Sequence, residues 1–350
     1  MKKLRAGVVG LGYISEGHAQ TYKQNVNTEL TAICDIDEPW LKCAKDIYEV
    51  GQIYTDYREM LEKADLDVIS VCVPTYLHAE VAIAALKKGI NVLCEKPTAT
   101  SAVEATAMRD AELKGGAKLM IGQNQRFDPC VQEMRKMYDR GDFGTVYQTR
   151  VGWRRPLGGF PLPCERRPNG SIYSRNWFNE KDKGGGVLRD LGSHMIDQML
   201  FILNFPELEG AYANSYRKFM PPGTESGEYT VDAEDLCAGY IKFKNGVGMQ
   251  IEVSHGSLVE KESLFARVYG TKMGGHKTDG RFLITKAQPD GSFTVEEPSE
   301  KDLPQMKFRH TADYFIDALV NDLPVPVSSE QGIKVIEVLD ALYAASKNII

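Results

Sequence analysis

Asp190 and His194 stand four residues apart in a segment with helical spacing, so both project from one face. Asp197 continues that face, and Leu188, Leu191, Met195 and Met199 supply packing around it. A neutral imidazole can accept a proton near pH 7, and a nearby carboxylate can orient the ring and stabilise its charged form. The pair therefore has the makings of a general acid–base site. It is equally the pattern of a helix start with an intrahelical Asp–His pair, led in by Gly184-Gly185-Gly186.

A second chemistry is written near the start of the chain. The apolar run 5–9 leads into Gly10-Leu11-Gly12-Tyr13-Ile14-Ser15 and then into a helical pattern. A first glycine allows a tight turn, a second lets backbone approach a pyrophosphate, and a third small residue lets helix pack on strand. Ser15 at the third place is a mild departure. The fingerprint also wants an acid at the end of the second strand. Asp35 closes Leu30-Thr31-Ala32-Ile33-Cys34 and can accept both hydroxyls of an adenosine ribose. Asp37 and Glu38 add negative charge and no arginine follows nearby, so NAD is favoured over NADP. A tight turn beside a solvated acid is the plainer account, and the combined spacing speaks against it.

These residues need a frame. Candidate strands at 5–9, 30–34, 68–73, 90–94 and 118–121 alternate with helical stretches such as 76–88 and 101–114. That alternation predicts βαβ units and a parallel, doubly wound sheet of the Rossmann type. Pro74-Thr75, with His78 beyond, and Glu95-Lys96-Pro97 follow two of the strands, where an open sheet has its ligand crevice. After about residue 125 the character changes. A helix over 127–140 and a strand over 145–151 precede an irregular stretch, 152–186, rich in Gly, Pro, Arg and aromatics. A helix is expected at 187–203. Strands follow at 211–219, 236–243, 247–254, 263–269, 281–286 and 292–296, with turns at Asn245-Gly246 and Pro289-Asp290-Gly291. Helices over 310–321 and 329–347 close the chain. The expected fold class is α/β plus α+β: a parallel-sheet domain over 1–125 and a domain with an open, mainly antiparallel sheet over 126–350, the last helix packing back on the first domain.

The bulk numbers narrow the partners. The 350 residues suit two domains, and the net charge of −6 disfavours nucleic acid. No apolar run approaches the ~20 residues that cross a bilayer. The cysteines, at 34, 43, 72, 94, 130, 164 and 237, are scattered and form no CxxC pair. They read as reduced thiols in a cytoplasmic protein. His255, His276 and His310 lack spaced ligand partners, so no metal site is expected.

The sequence resembles the glucose–fructose oxidoreductase / inositol dehydrogenase family, also called Gfo/Idh/MocA. The matching pieces are Gly10-Leu11-Gly12, Asp35, Val73-Pro74-Thr75 with His78, Glu95-Lys96-Pro97, Asn124-Gln125-Arg126-Phe127, and the run from Gly184 to His194. The resemblance spans the whole chain. It implies a catalytic lysine at Lys96 and an Asp/His pair at Asp190 and His194, with an aromatic, Trp177, near the cofactor. Oxidising a carbinol needs a base, and Lys96 can hold the developing alkoxide. The proton could pass through Lys96 or His194. The expected cofactor contacts are Gly10, Gly12, Tyr13, Ile14, Asp35, Pro74, Thr75, His78, Glu95, Lys96, Asn124 and Trp177. Arg126, Arg154, Tyr173 and Asn176 are candidates for the substrate, with Arg155, Arg166 and Arg167 nearby; His18 reads as structural.

The expected activity is that of an NAD-dependent dehydrogenase acting on CH–OH, oxidising a secondary hydroxyl of a sugar, cyclitol or glycoside. Two alternatives use the same fold: redox-neutral glycoside cleavage through a transient keto-sugar, and a non-enzymatic nicotinamide-binding regulator. The exposed sheet face expected of the second domain makes a homo-oligomer, dimer or tetramer, the expected assembly.

Overall fold

The computed structural model describes residues 2–159, 164–167, 169–170, 172–219 and 230–346. Parts of the irregular 152–186 stretch, and the expected end of the last helix at 347, lie outside them. In the first half, strands β1 (Leu4–Val9), β2 (Thr28–Cys34), β3 (Gln52–Tyr54), β4 (Val68–Val71), β5 (Asn91–Cys94) and β6 (Leu119–Ile121) form one sheet in the order β3-β2-β1-β4-β5-β6. Every neighbouring pair is parallel. Helices α1 (Ser15–Gln24), α2 (Glu38–Tyr48), α3 (Tyr57–Lys63), α4 (His78–Leu86) and α5 (Ala102–Gly115) make the crossovers. All four residues of β4 are buried, as a strand covered on both faces requires. The strand order reverses between β1 and β4, which opens a crevice at their carboxyl ends.

The second half begins with α6 (Pro129–Arg140) and β7 (Val146–Pro156). A short hairpin, β8 (Cys164–Arg166) and β9 (Ile172–Ser174), leads to α7 (Ser193–Ile202). Then come β10 (Leu208–Tyr216), β11 (Leu236–Phe243), β12 (Gly248–Ser257), β13 (Ser263–Gly270), β14 (Met273–Thr278), β15 (Arg281–Ala287) and β16 (Phe293–Glu296). The eight-stranded sheet runs β10-β11-β12-β7-β13-β14-β15-β16. All its pairs are antiparallel except β12 with β7. The chain closes with α8 (Thr311–Val320) and α9 (Ser329–Ala345).

Two expectations need correction. The spacing predicts no strand at β3 or β14. β3 is only three residues long, and Gly274-Gly275 in β14 interrupt any alternation of side chains; at Gly275 a Cβ would press on Met134 and Phe143 at 3.2 and 3.3 Å. The helix expected over 187–203 is also not uniform, because Leu188–Gly192 winds as a π-turn before α7.

The two halves are tied together by polar contacts. The α9 carboxylate of Asp340 accepts from Ala102 N of α5 at 2.9 Å, and Ile121 N of β6 donates to Val327 O at 3.1 Å. Arg126, which follows β6, reaches into the second half. Its Nε donates to Asp197 Oδ2 at 3.0 Å, its Nη2 binds Asp197 Oδ1, and its Nη1 binds Pro326 O and Gln331 Oε1 at 3.1 and 2.5 Å. The pair is fully enclosed, with side-chain exposures of 1% for Arg126 and 0% for Asp197. Arg126 is therefore a structural cation and not the substrate contact its position in sequence suggested. Removing one member leaves a bare buried charge. Arg126→Met should lower stability by roughly 3–5 kcal/mol, against less than about 1 kcal/mol for the exposed pair Lys63–Glu59. Urea midpoints of Arg126→Met and Lys63→Met test this.

Candidate active site

Strand β1 delivers the chain to Gly10, which turns with φ +88°. A Cβ there would stand 2.7 Å from the Cys72 carbonyl oxygen, so only glycine closes the turn against β4. Ser15 is buried at the start of α1 and donates its hydroxyl to Gly12 O at 2.6 Å, so the departure at the third position fits without strain. Tyr13 is 74% exposed and Ile14 is also exposed, at the mouth of the turn. Asp35 lies at the end of β2. Its Oδ2 accepts from Leu11 N at 2.7 Å and its Oδ1 from Asp37 N at 2.9 Å.

This corner has a cation that the local sequence does not announce. Arg167, from the β8–β9 hairpin, sets Nη2 3.5 Å from Asp35 Oδ2 and Nη1 3.1 Å from Asp37 Oδ2. Its guanidinium lies over the rings of Trp40 and Tyr173, at 5.3 and 4.7 Å. Tyr173 comes within 3.9 Å of where a Gly12 Cβ would be, and its hydroxyl donates to Glu165 at 2.9 Å. The sequence offered Tyr173 to the substrate; the fold sets it on the phosphate turn.

Pro74, Thr75 and the Glu95-Lys96-Pro97 loop line the crevice beyond. The Lys96–Pro97 bond is cis. His78 is buried, with Nδ1 2.8 Å from Pro97 O and Nε2 2.9 Å from Val73 O. Burial pushes its pKa down against those two carbonyls. The neutral ring has one N–H to donate to one of these carbonyls and packs its other nitrogen on the second, so His78 lies wedged between the loops after β4 and β5 and is not free for a cofactor. Glu95 turns inward as well. Its Oε1 meets His18 Nε2 at 2.9 Å, and Ser70 and Tyr22 continue the chain at 2.8 and 2.9 Å. Burial pushes the Glu95 carboxyl up, but His18 and Lys96 outweigh it and hold the group below its ordinary value. His18 is structural, as its sequence position suggested, and Glu95 braces the lysine loop from behind.

Lys96 points the other way. Its Nζ donates to Asp190 Oδ1 at 2.8 Å and to Asp190 O at 3.3 Å. The other carboxylate oxygen of Asp190 faces His255 Nε2 at 3.0 Å. Burial opposes the charge, yet the Lys96 cation and the His255 hydrogen bond hold Asp190 well below the usual carboxylate range. The expected intrahelical Asp190–His194 bond does not form. The wider π-turn over Leu188–Gly192 breaks the i,i+4 register, and Asp190 pairs outward with Lys96 and His255 instead. His194 stays close by, 7% exposed, with Nδ1 unpartnered. Trp153 of β7 has its ring centroid 5.9 Å from that of His194.

The glycine run before this turn has a defined purpose. Gly186 has φ +104°, and a Cβ would stand 2.4 Å from both carboxylate oxygens of Glu234. Glu234 is buried and accepts from Leu188 N at 3.0 Å and Tyr343 OH at 2.8 Å. It thus fixes the first turn of the segment that carries Asp190. Trp177 stacks on Phe178 at 3.7 Å just ahead of the run.

Of the remaining candidates, Asn124 is exposed just after β6. Asn176 is buried and spent on Glu180 Oε1 and Thr230 O, at 3.0 and 2.9 Å, so it holds its loop and not a substrate hydroxyl. Arg154 binds Glu252 at 2.8 Å from the opposite face of β7 to Trp153. By the same alternation Arg155 shares the Trp153 side, and its charge acts on His194. Residue types alone do not tell Arg154 from Arg155; only the strand register does. His255 has no motif at all in the sequence.

The residues present fit a dinucleotide. The glycine turn is tight and bears no side chain of its own at Gly12, an acid ends β2, and Thr75 carries a buried hydroxyl with no protein partner. Among the described residues, no helix is long and apolar enough to cross a membrane.

The comparisons agree with this geometry. A model described as an oxidoreductase family with an NAD-binding Rossmann fold matches residues 4–123. One described as the C-terminal alpha/beta domain of that oxidoreductase family matches residues 135–348. The D-glucoside 3-dehydrogenase of Escherichia coli K12 is 27% identical over 357 residues, covering 98% of this chain and 95% of that protein. The myo-inositol 2-dehydrogenase of Thermotoga maritima is 27% identical over 361 residues, covering 99% and 96%. A solved levoglucosan dehydrogenase in complex with NADH superposes with TM-score 0.82 at 20% identity, covering 99% of this chain and 97% of that one. An oxidoreductase domain protein from Kribbella flavida superposes with TM-score 0.83 at 23% identity, covering 99% and 98%. At those identities the two structures speak for the fold alone. In both halves the chain belongs to the Gfo/Idh/MocA family of NAD-binding oxidoreductases.

Proposed function

We propose that this chain oxidises a secondary hydroxyl of a sugar, cyclitol or glycoside, with NAD bound on residues 1–125 and the substrate held mainly by residues 126–350. One observation carries the reading. Lys96 Nζ is anchored 2.8 Å from Asp190 Oδ1, beside a buried histidine, where the loops after β4 and β5 meet the second sheet. The names of the relatives, a glucoside dehydrogenase and an inositol dehydrogenase, support the substrate class.

Gly10, Gly12, Tyr13, Ile14, Asp35, Pro74, Thr75, Asn124 and Trp177 would hold the cofactor. When bound, NAD supplies the acceptor for the hydride. The chain's own residues manage the proton and the charge. Lys96, held in place by Asp190, stands to bind the carbinol oxygen and offset the negative charge that builds there as the C–H bond breaks. Burial, and then the neighbouring Lys96 charge, push the His194 pKa down to about 3. His194 is therefore a neutral imidazole in the folded chain, one ring nitrogen carrying a proton and the other a lone pair, beside Lys96 as the second candidate to take the substrate proton. Trp153 and Arg155 line the substrate side, an apolar plane and a cation suited to a ring bearing several hydroxyls.

Cytoplasmic residence and assembly as a dimer or tetramer belong to the same reading. The thiols of Cys34, Cys43, Cys72, Cys94, Cys130 and Cys237 are free. Tyr212 and Tyr240, paired across β10 and β11, are exposed on one face of the second sheet.

Purified protein with NAD and a panel of methyl glucosides, myo-inositol and levoglucosan should generate reduced nicotinamide. Lys96→Ala should cut kcat by roughly 10²–10³-fold while NAD affinity, read by tryptophan fluorescence, stays near wild type. A silent panel, or a Lys96→Ala variant as fast as wild type, sinks the proposal. Glycoside cleavage with no net reduced nicotinamide would move it to redox-neutral chemistry.

The same histidine makes stability depend on pH. Unfolded, His194 titrates near 6.5; folded, near 3. Between those values the unfolded chain binds the extra proton, so stability falls as pH drops through 6.5 and this loss ends below about 3. The term is on the order of 2 kcal/mol by roughly pH 5. His78 and His310, also shifted down by burial, act in the same direction. Melting temperatures should decline from neutral pH to about pH 5, and His194→Asn should make that decline shallower. An unchanged slope in the variant would show that His194 titrates normally.

A further inference from the structure

His255 lies on β12, 65 positions from Asp190 in sequence, and its ring is 0% exposed. It occupies an irregular point in the strand. Pairing between β12 and β7 runs from Ser254 opposite Arg154 to Ser257 opposite Pro156, so three steps on β12 answer two on β7. The pleat itself carries the ring to the crevice side, since Val253, two residues back, stands opposite Trp153 and shares its face. Here it places Nε2 3.0 Å from Asp190 Oδ2.

The pattern of ring contacts separates His255 from an ordinary core histidine. His18 and His78 are equally buried, and each has partners on both ring nitrogens. His255 has a side-chain partner only at Nε2, and its buried Nδ1 has none. An unpaired buried nitrogen costs stability. The site tolerates that cost for a single contact, and the contact is to Asp190.

The consequence for Asp190 is geometric. Lys96 holds Oδ1 from the first sheet's loop, and His255 holds Oδ2 from the second sheet. A carboxylate gripped on both oxygens from opposite sides cannot rotate without losing one donor. We propose that His255 is a positioning residue for the oxidation: it pins Asp190, and Asp190 then keeps the Lys96 ammonium aimed at the substrate oxygen. This rests on the reading of Lys96 given above.

The test compares His255→Ala, His255→Gln and Lys96→Ala holoenzymes with NAD and the panel substrate that wild type turns over fastest. Gln carries an N–H donor at a reach close to that of imidazole Nε2. His255→Ala should lower kcat by roughly 10- to 100-fold, the scale on which partners of catalytic groups act, with KM and NAD affinity within about threefold. His255→Gln should recover at least about tenfold of a 100-fold loss. Equal losses in the Ala and Gln variants, or a rise in KM with kcat unchanged, would overturn the proposal in favour of packing. A His255→Ala enzyme at wild-type kcat while Lys96→Ala is inactive would overturn it and leave the Lys96 reading standing. Wild-type rates in Lys96→Ala would remove both. A crystal structure of His255→Ala with NAD reads the same step without substrate: Asp190 should leave Lys96, and an Asp190 still in place counts against the pin.

Discussion

The structure around the crevice depends on one constraint: the Asp190 carboxylate is charged and largely withdrawn from water. An isolated carboxylate would cost several kcal/mol in that setting, so it must be surrounded by donors. Lys96 and His255 supply them, from two different sheets. Each donor needs a rigid mount. Lys96 sits on a loop clamped by His78 and braced by the Glu95–His18–Ser70–Tyr22 chain, and His255 sits on a bulged strand. Asp190 itself rides on a π-turn whose first amide is held by Glu234. A wider turn breaks the spacing that would pair Asp190 with His194, so the carboxylate is given to Lys96 and the imidazole is left free. That division separates a group that holds charge from a group that can take a proton.

The same logic of long-range completion governs the cofactor end. The turn at Gly10 and the acid at Asp35 are local products of strand, turn and helix. Arg167 arrives from 132 positions away and sits on that acid, between Trp40 and Tyr173. The charge at the ribose corner is therefore a property of both domains. A reading limited to the residues beside Asp35 sees three acids and no cation, and overstates the negative potential there.

How much could be read in the sequence follows from how local each feature is. Five of the six strands of the first sheet are short, mostly apolar runs, and each lies within two residues of where the pattern puts it at both ends. The turn glycines, Asp35, Lys96, Asp190 and His194 belong to short motifs, and the fold gathers them along one crevice. Features that depend on register were not legible. Arg154 and Arg155 are adjacent and chemically identical, and the pleat sends them to opposite faces. Arg126 and Asn176 have the right chemistry to meet a substrate, but their burial partners, Asp197 and Glu180 among them, are set by tertiary packing. His255 was invisible for the same reason: nothing near Ser254-His255-Gly256 hints that this face of the strand will lie against residue 190.

These differences in locality suggest how such a scaffold can change substrate without losing its chemistry. The charged centre is tied across elements, since Asp190 is held on one oxygen by Lys96 and on the other by His255. The face of β7 that carries Trp153 and Arg155 is no part of that tie. Those side chains lie beside His194, yet their own polar contacts run to Glu262, at 2.5 and 3.3 Å, and none supports Asp190 or Lys96. On the proposed reading, substitutions at those two places would alter what the crevice recognises while the Lys96–Asp190–His255 bridge stays intact. In physical terms, the reacting groups are fixed by buried charge, which tolerates no loosening, and recognition is left to a strand surface whose hydrogen bonds to its neighbours do not depend on which side chains it presents.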